Sequence, residues 1–278
     1  MDSWADLHIH TYYSDSTSSP QEVVDGALKE KLSCVAITDH DTIDGFLPTT
    51  LIAQAHGIEV IAGVELSSEW EGRDIDILGY CFDCQQSPLV EQLDVFLDAR
   101  VERMKQMIVQ LKTAGINNIE YEEVSALTKS RAVGRVHLAT LLVAKGWTSS
   151  MKEAFEKYLG PGRVGYVPKF QQTPFEAIDL IKKSGGVAVM AHPMLTQKDE
   201  LIPQFVKAGM QGIEVYYPNC NPLVTQCYER IAKKHGLIAT GGSDAHGKVK
   251  AYTHVGKMVV SYSVVEQLKQ AMQKTGTH

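Results

Sequence analysis

Asp6-Leu7-His8-Ile9-His10, continued by Ser14-Asp15, is the stretch whose reading decides the fold. In a strand, residues i and i+2 point to the same side, so His8 and His10 face together and Asp6 faces with them. A lone H-x-H arises by chance. Here the arrangement recurs wherever an apolar run stops. Val35-Ala36-Ile37 runs into Thr38-Asp39-His40-Asp41, and Val60-Ile61-Ala62-Gly63-Val64 into Glu65. Val187-Ala188-Val189-Met190-Ala191 runs into His192-Pro193, and Leu237-Ile238-Ala239 passes a Gly-Gly pair into Ser243-Asp244-Ala245-His246. Imidazole and carboxylate are the ligands of borderline and hard divalent metals. Buried Asp, Glu and His are costly unless paired or metal-bound, and core packing would need five independent coincidences. The clusters describe one polynuclear metal site at one end of a barrel, which points to a metal-dependent hydrolase.

Apolar, β-branched runs occur near 5–9, 34–38, 58–66, 74–82, 186–191, 212–217 and 237–241. Helical segments with start signals lie between several of them. Ser19-Pro20-Gln21-Glu22 is a capping box with proline at the first helical position, Thr173-Pro174-Phe175-Glu176 repeats it, and Ser150-Met151-Lys152-Glu153 is a third. Ser184-Gly185-Gly186 and His235-Gly236 read as helix ends. Strands alternating with helices predict a mostly parallel sheet, buried on both faces, and about seven strands suit a barrel. One stretch is helical only. Leu93, Phe96, Leu97, Val101, Met104, Ile108 and Leu111 form an apolar stripe on a long helix closed by Gly115, with shorter helices near 121–128, 135–145 and 150–159. The expected organisation is a discontinuous barrel, 1–88 and 166–278, with a helical insertion at 89–165 in a βα loop. Such loops build the active site of barrels, so the insertion is expected to cap it.

The 278 residues suffice for one α/β domain with an insertion. A formal net charge of −6 argues against a broad grip on duplex DNA. It leaves room for a small phosphorylated substrate, because bound cations reverse the local sign. No apolar run approaches the roughly 20 residues that span a bilayer. No basic-then-apolar N-terminal stretch is seen, so a cytoplasmic location without membrane association is expected. Five cysteines form no framework, and Cys81-Phe82-Asp83-Cys84 is a lone C-x-x-C that reads as reduced thiols at a strand end.

His56, His235, His254 and His278 read as solvated. Gly134-Arg135-Val136-His137 opens a helix of the insertion with Arg131 just before it. It reads either as a surface helix start or as a substrate-binding element, since a helix N-terminus with nearby arginine suits a phosphate.

Together these motifs resemble the PHP (polymerase and histidinol phosphatase) superfamily, within the amidohydrolase-like barrels, over nearly the whole chain. The resemblance rests on Asp6 to His10 with Ser14-Asp15, Thr38 to Asp41, Gly63-Val64-Glu65-Leu66-Ser67, Ala191-His192-Pro193 and Gly242 to His246. The insertion is similar to that of the TrpH-like branch through Arg100, Arg103, Gly134-Arg135, His137, Ala154-Phe155 and Tyr158-Leu159. The resemblance implies a distorted (β/α)7 barrel and two or three divalent ions, manganese foremost, with zinc, iron or magnesium as alternatives. It implies His8, His10, Glu65 and Asp244 at a first ion, Asp15, His40 and His246 at a second, and Glu65 with His192 at a third. Relatives carry histidine where this chain has Asp76. An aspartate can ligate there as a hard oxygen donor, which favours manganese over zinc and also permits two-metal operation. Ser16 stands where a glycine is common after the motif-one aspartate.

Two divalent ions about 3.5–4 Å apart lower the pKa of water towards neutrality, neutralise phosphate oxygens and align in-line attack. Asp244, His192 and His246 are the expected catalytic residues, either histidine being able to protonate the leaving oxygen. Arg131, Arg135 and His137 are the expected distal-phosphate contacts. Arg100 and Arg103 are weaker candidates for the same contacts, since arginines on a long helix more often make solvated salt bridges. The leading expectation is a phosphomonoesterase acting on a nucleotide or other small phosphorylated metabolite, and the resemblance implies the 3′-phosphate of a nucleoside 3′,5′-bisphosphate foremost. A phosphodiesterase or 5′–3′ exonuclease on short RNA and a noncatalytic metal-binding module are the alternatives.

Overall fold

The computed structural model describes residues 3–169, 172–250 and 252–275; His278 lies outside them. The strands are β1 (Trp4–Ile9), β2 (Cys34–Ile37), β3 (Glu59–Leu66), β4 (Glu69–Trp70), β5 (Arg73–Asp74), β6 (Ile77–Tyr80), β7 (Val187–Met190), β8 (Gly212–Tyr216), β9 (Ile238–Gly241) and β10 (Val260–Ser261). The α-helices are α1 (Pro20–Lys29), α2 (Phe46–Gln54), α3 (Pro88–Thr113), α4 (Tyr121–Ser125), α5 (Arg135–Ala144) and α6 (Met151–Ala154). They continue with α7 (Pro174–Lys183), α8 (Pro193–Thr196), α9 (Ile202–Ala208), α10 (Pro222–His235) and α11 (Tyr262–Thr275).

Eight strands form one sheet in the order β10-β1-β2-β3-β6-β7-β8-β9. The sheet nearly closes. Asp244 N–H donates to the His8 carbonyl at 2.8 Å and His10 N–H to the Ala245 carbonyl at 3.1 Å, so the segment after β9 zips onto the end of β1. Gly242 permits that seam, because a Cβ there would meet the His8 nitrogen at 2.3 Å. Tyr80 fills the interior from β6. Its hydroxyl donates to the Leu7 carbonyl at 2.7 Å, and since β2 and β3 separate β6 from β1, the bond crosses the barrel. The architecture is the expected α/β barrel.

The sheet departs from the expected run of parallel strands at two places: β10 pairs antiparallel with β1 at the edge, and β6 runs antiparallel in the middle. β1-β2-β3 and β7-β8-β9 are parallel blocks, and β6 between them is antiparallel to both neighbours. The cause is a short connection. Only the β4-β5 ribbon separates β3 from β6, and a hairpin-length link can join only antiparallel strands. β6 therefore begins at the barrel end where its neighbours finish: Ile77 pairs with Leu66 and Met190. Asp76 reaches that end from before a strand, where the other clusters reach it from after one.

The chain leaves β6 at the far end and returns along α3. Its 26 residues span about 39 Å, enough to climb the barrel wall and overtop it. The expected capping devices start the helices. Ser19 and Thr173 exchange reciprocal bonds with Glu22 and Glu176. At Ser150 the hydroxyl accepts the Glu153 N–H, while the Glu153 carboxylate turns to Ser149. The helix expected to run to 159 changes to a π-turn at Phe155–Leu159, closed by Gly160 N–H on the Phe155 carbonyl. The helices beyond the barrel mouth share their own apolar cluster, including Met104, Met107, Leu111, Leu138, Leu142 and Leu159. No helix among the described residues is long and apolar enough to cross a membrane.

Candidate metal centre

β1 delivers His8 and His10 with their Nε2 atoms 3.1 Å apart. Glu65, at the end of β3, puts Oε2 3.3 Å from His8 Nε2 and 3.2 Å from His10 Nε2. Asp244 Oδ1 lies 3.4 Å from His10 Nε2 and 3.7 Å from His8 Nε2. Its backbone is left-handed (φ 48°), a conformation that aspartate tolerates better than most residues. Asp15 faces the other side of this set. Its Oδ1 is 3.2 Å from His246 Nε2 and 3.7 Å from His10 Nδ1, and its Oδ2 is 3.9 Å from His40 Nε2. His192 Nε2 is 3.0 Å from Glu65 Oε1.

Among the described residues, three sets emerge in which each residue offers one ligand atom and all atoms lie within 4.8 Å: His10-Asp15-His40-His246, His8-His10-Glu65, and Glu65-Asp76-His192. His10 and Glu65 are shared, so the sets are contiguous. Asp244 falls outside the compact sets, although its Oδ1 borders the first two. The donor chemistry fits divalent cations: imidazole nitrogen and carboxylate oxygen, converging and mostly buried. Orphaned atoms support the fit. His10 Nδ1, Asp15 Oδ1, His40 Nδ1, Asp76 Oδ1 and His192 Nδ1 are buried and make no hydrogen bond among the described residues, a state that buried polar atoms avoid unless another partner takes them. Burial works against the charge of Asp15, Glu65 and Asp244, yet the surrounding imidazoles hold all three carboxyls well below their usual range. Burial pushes His40 down to about 4, leaving a neutral imidazole with a free lone pair. Burial likewise pushes Asp76 up to about 6, with Lys169 opposing and Glu65 adding to the rise.

A second tier of side chains fixes the first. Asp6 does not join the histidines. Its carboxylate accepts from the Ser243, Gly256 and His8 N–H groups and locks the barrel seam. Asp39 accepts from Thr11 N–H at 2.7 Å and from the Thr11 and Ser14 hydroxyls, which shapes the loop carrying Asp15. Tyr217 Oη and Lys250 Nζ both reach Asp244 Oδ2 at 2.7 Å, so Oδ1 is the oxygen left to face the histidines. Glu214 contacts His8 and His192. Sequence reasoning missed Tyr217, Lys250 and Glu214. Only Glu214 carried a signal, a charge inside an apolar strand.

The cationic wall differs from expectation. Arg135, Arg100, Arg103 and Lys169 line the same cleft as Asp15, His40 and Asp76. Arg131 does not. It is half-exposed and pairs with Asp94 and with Asp98 (2.6 Å) on α3. His137 is buried, accepts the Gly134 N–H on Nδ1 at 2.9 Å and is absent from the cleft lining; it ties down the start of α5. The Arg135 guanidinium sits 5.7 Å from the Phe155 ring centre and 5.8 Å from that of Tyr166, which braces its fork. Arg100 and Arg103, the weaker candidates, line the cleft and do not form solvated salt bridges. Arg100 Nε donates to Asp41 at 2.8 Å, and Arg103 Nε donates to the Val167 carbonyl at 2.8 Å. Arg103 is buried, and one of its terminal nitrogens has no partner among the described residues. Burial, with Arg135 and Arg100 nearby, pushes the Arg103 pKa down to about 10. The signal was present on the helix. Phe96, Arg100, Arg103 and Met107 follow one another at helical spacing, so the two arginines continue the buried face. Elsewhere His56 and His254 are exposed and His235 is partly exposed, and Cys81 and Cys84 are free thiols.

The comparisons agree with this geometry. The family model for the PHP domain matches residues 6–160. The chain is 34% identical to a 3′,5′-nucleoside bisphosphate phosphatase of Chromobacterium violaceum, over 90% of each protein. It is 36% identical to a 5′–3′ exoribonuclease of Haemophilus influenzae, over 87% of this chain and 89% of that one. A crystal structure of a Bifidobacterium adolescentis protein assigned as a metal-dependent phosphoesterase superposes with a TM-score of 0.87 at 29% identity, covering 96% of both chains. Family match, near-full-length relatives and metal-fitting barrel mouth coincide: the chain belongs to the PHP domain family of metal-dependent phosphoesterases.

Proposed function

We propose that this enzyme hydrolyses the 3′-phosphate of a nucleoside 3′,5′-bisphosphate. The observation that carries the reading is a single cleft with the metal-fitting Asp15, His40 and Asp76 in its wall and four cations, Arg100, Arg103, Arg135 and Lys169, beside them. A monophosphate needs only the metal end. A terminal nitrogen of buried Arg103 that has no partner among the described residues suits a further anion such as a second phosphate. The bisphosphate phosphatase among the relatives supports the same substrate class.

In this reading His8, His10, Glu65 and Asp244 hold a first divalent ion, Asp15, His40 and His246 a second, and Glu65, Asp76 and His192 a third. Bound divalent ions supply a nucleophile near neutral pH and neutralise the phosphate oxygens. The protein's own part is positional. Asp244, clamped through Oδ2 by Tyr217 and Lys250, presents one fixed oxygen to the reacting end. His192 and His246 flank it from different strands. Arg135 and Lys169 hold the distal phosphate, while Arg100 is retained by Asp41 and steadies the mouth. Residues 89–165 act as one inserted cap on a barrel of 1–88 and 166–278; this division is supported by the separate apolar cluster of the cap helices. The assay is phosphate release from a 3′,5′-bisphosphate by manganese-loaded protein. Turnover no better than on a simple aryl phosphate would remove the distal-phosphate reading.

A 5′–3′ exonuclease on short RNA is the second reading, favoured by the exoribonuclease relatives of equal coverage. It predicts mononucleotide release from a 5′-phosphorylated oligoribonucleotide at a rate matching or exceeding phosphate release from the bisphosphate.

Manganese is the proposed native ion because Asp76 adds a hard oxygen donor. Asp76→His is expected to retain activity while moving the metal giving the highest turnover from manganese towards zinc. Metal content and turnover of Asp76→Ala equal to wild type would reduce Asp76 to a cleft-wall carboxylate.

A further inference from the structure

Glu214 is a buried carboxylate to which neither the family motifs nor the chemistry above gives a role. It sits inside β8 between the buried Ile213 and Val215, and its side chain is 1% exposed. Both of its oxygens are used. Oε1 lies 2.9 Å from His8 Nδ1, and Oε2 accepts the backbone N–H of His192 at 2.8 Å. His8 comes from β1, reached across the β9 seam, and His192 follows β7 on the other flank of β8. One side chain thus bridges two candidate ligand residues, His8 and His192, that are far apart in sequence.

We propose that Glu214 is the positioning residue that sets these two histidines for metal binding. The proposal rests on the reading of His8 and His192 as ligands. At His8, a carboxylate on Nδ1 requires the proton there. In the neutral ring that a metal ion requires, this leaves the lone pair on Nε2, which faces His10 Nε2 and Glu65 Oε2. Carboxylate-bound histidine of this kind has its tautomer fixed, its ring orientation set and its donor strength raised. At His192, the backbone adopts φ 25°, ψ 59°, a region that non-glycine residues occupy only when the surroundings hold them there. The Glu214 bond to the His192 N–H is such a hold, and the turn aims the His192 ring at Glu65 Oε1, 3.0 Å away. Aspartate or glutamine cannot reproduce the pair of contacts. Aspartate is one methylene shorter. Glutamine has one acceptor oxygen, so an N–H group must confront one of the two donors or force His8 into the tautomer that blocks Nε2.

The test is calorimetric titration of chelator-stripped protein with manganese. Glu214→Gln is expected to weaken manganese binding by about 10- to 100-fold, the usual cost of removing an orienting partner from a metal ligand. It should also lower kcat on a small aryl phosphate with little change in KM. Glu214→Asp, which keeps two acceptor oxygens, should recover part of that affinity. Unchanged manganese affinity in Glu214→Gln, with only a lower melting temperature, would make the residue a structural one and overturn the proposal. Absence of manganese binding in the wild type would instead overturn the ligand reading on which it rests. A nitrogen-15 ring spectrum of zinc-loaded wild type gives a decision even where the variants do not fold. A proton on His8 Nδ1 supports the proposal, and a proton on Nε2 overturns it.

Discussion

Asp244→Asn is expected to remove bound metal and turnover together while leaving the fold in place. Asparagine suits the left-handed backbone at this position (φ 48°). Its amide oxygen can still accept from Tyr217 and Lys250, the two donors that hold Asp244 Oδ2. What changes is the oxygen facing His10 and His246, which becomes an N–H group with no negative charge. A metal clamp is worth several kcal/mol of transition-state stabilisation. Losing about 4 kcal/mol of it lowers the rate about a thousand-fold. Elemental analysis of protein purified without chelator should find two to three divalent ions per chain in the wild type and fewer in the variant. Wild-type turnover with full metal content would take Asp244 out of the mechanism.

Arg135→Ala should raise KM strongly for a nucleoside 3′,5′-bisphosphate and leave a small aryl phosphate nearly unaffected. The guanidinium lines the cleft next to Asp76 and Lys169 and is braced against Phe155 and Tyr166, so its fork is held before substrate arrives. A charged hydrogen bond contributes about 1.5–3 kcal/mol, or about 10- to 150-fold in KM. Lys169→Ala should behave the same way, more weakly, because an ammonium is a point charge without the paired geometry. Arg131→Ala is the control. Its partners Asp94 and Asp98 lie on the exposed side of α3, and exposed pairs of this kind contribute little. Equal losses on both substrates would assign Arg135 to the reacting phosphate or to the fold. No loss on either would return the start of α5 to a structural role.

The chain reports its barrel through strand-end chemistry. His8 and His10 follow the two-residue period of a strand, and each later cluster repeats the same place relative to its own apolar run, so the elements and the residues meeting at one mouth were legible from local pattern alone. Capping boxes marked the helix starts for the same reason: they are exchanges between residues three apart. The direction of β6 was less legible. Its antiparallel pairing follows from the short ribbon between β3 and β6, which the apolar period does not encode. The cationic wall was legible only in part. Arg100 and Arg103 lie on the buried face of α3, yet helical spacing does not say whether an inward arginine meets a carboxylate, a carbonyl or an open cleft. Arg131 and Arg135, four residues apart, went to different surfaces, one to the outer side of α3 and the other to the cleft. Glu214, Tyr217 and Lys250 lay outside any motif. Sequence alone determined which imidazoles and carboxylates converge at the barrel mouth, because residue type and strand period are local. Tertiary structure alone decided which carboxylates contact those groups and which cations line the cleft beside them, because the partner of a buried charge is set by chain segments that meet only after the barrel closes.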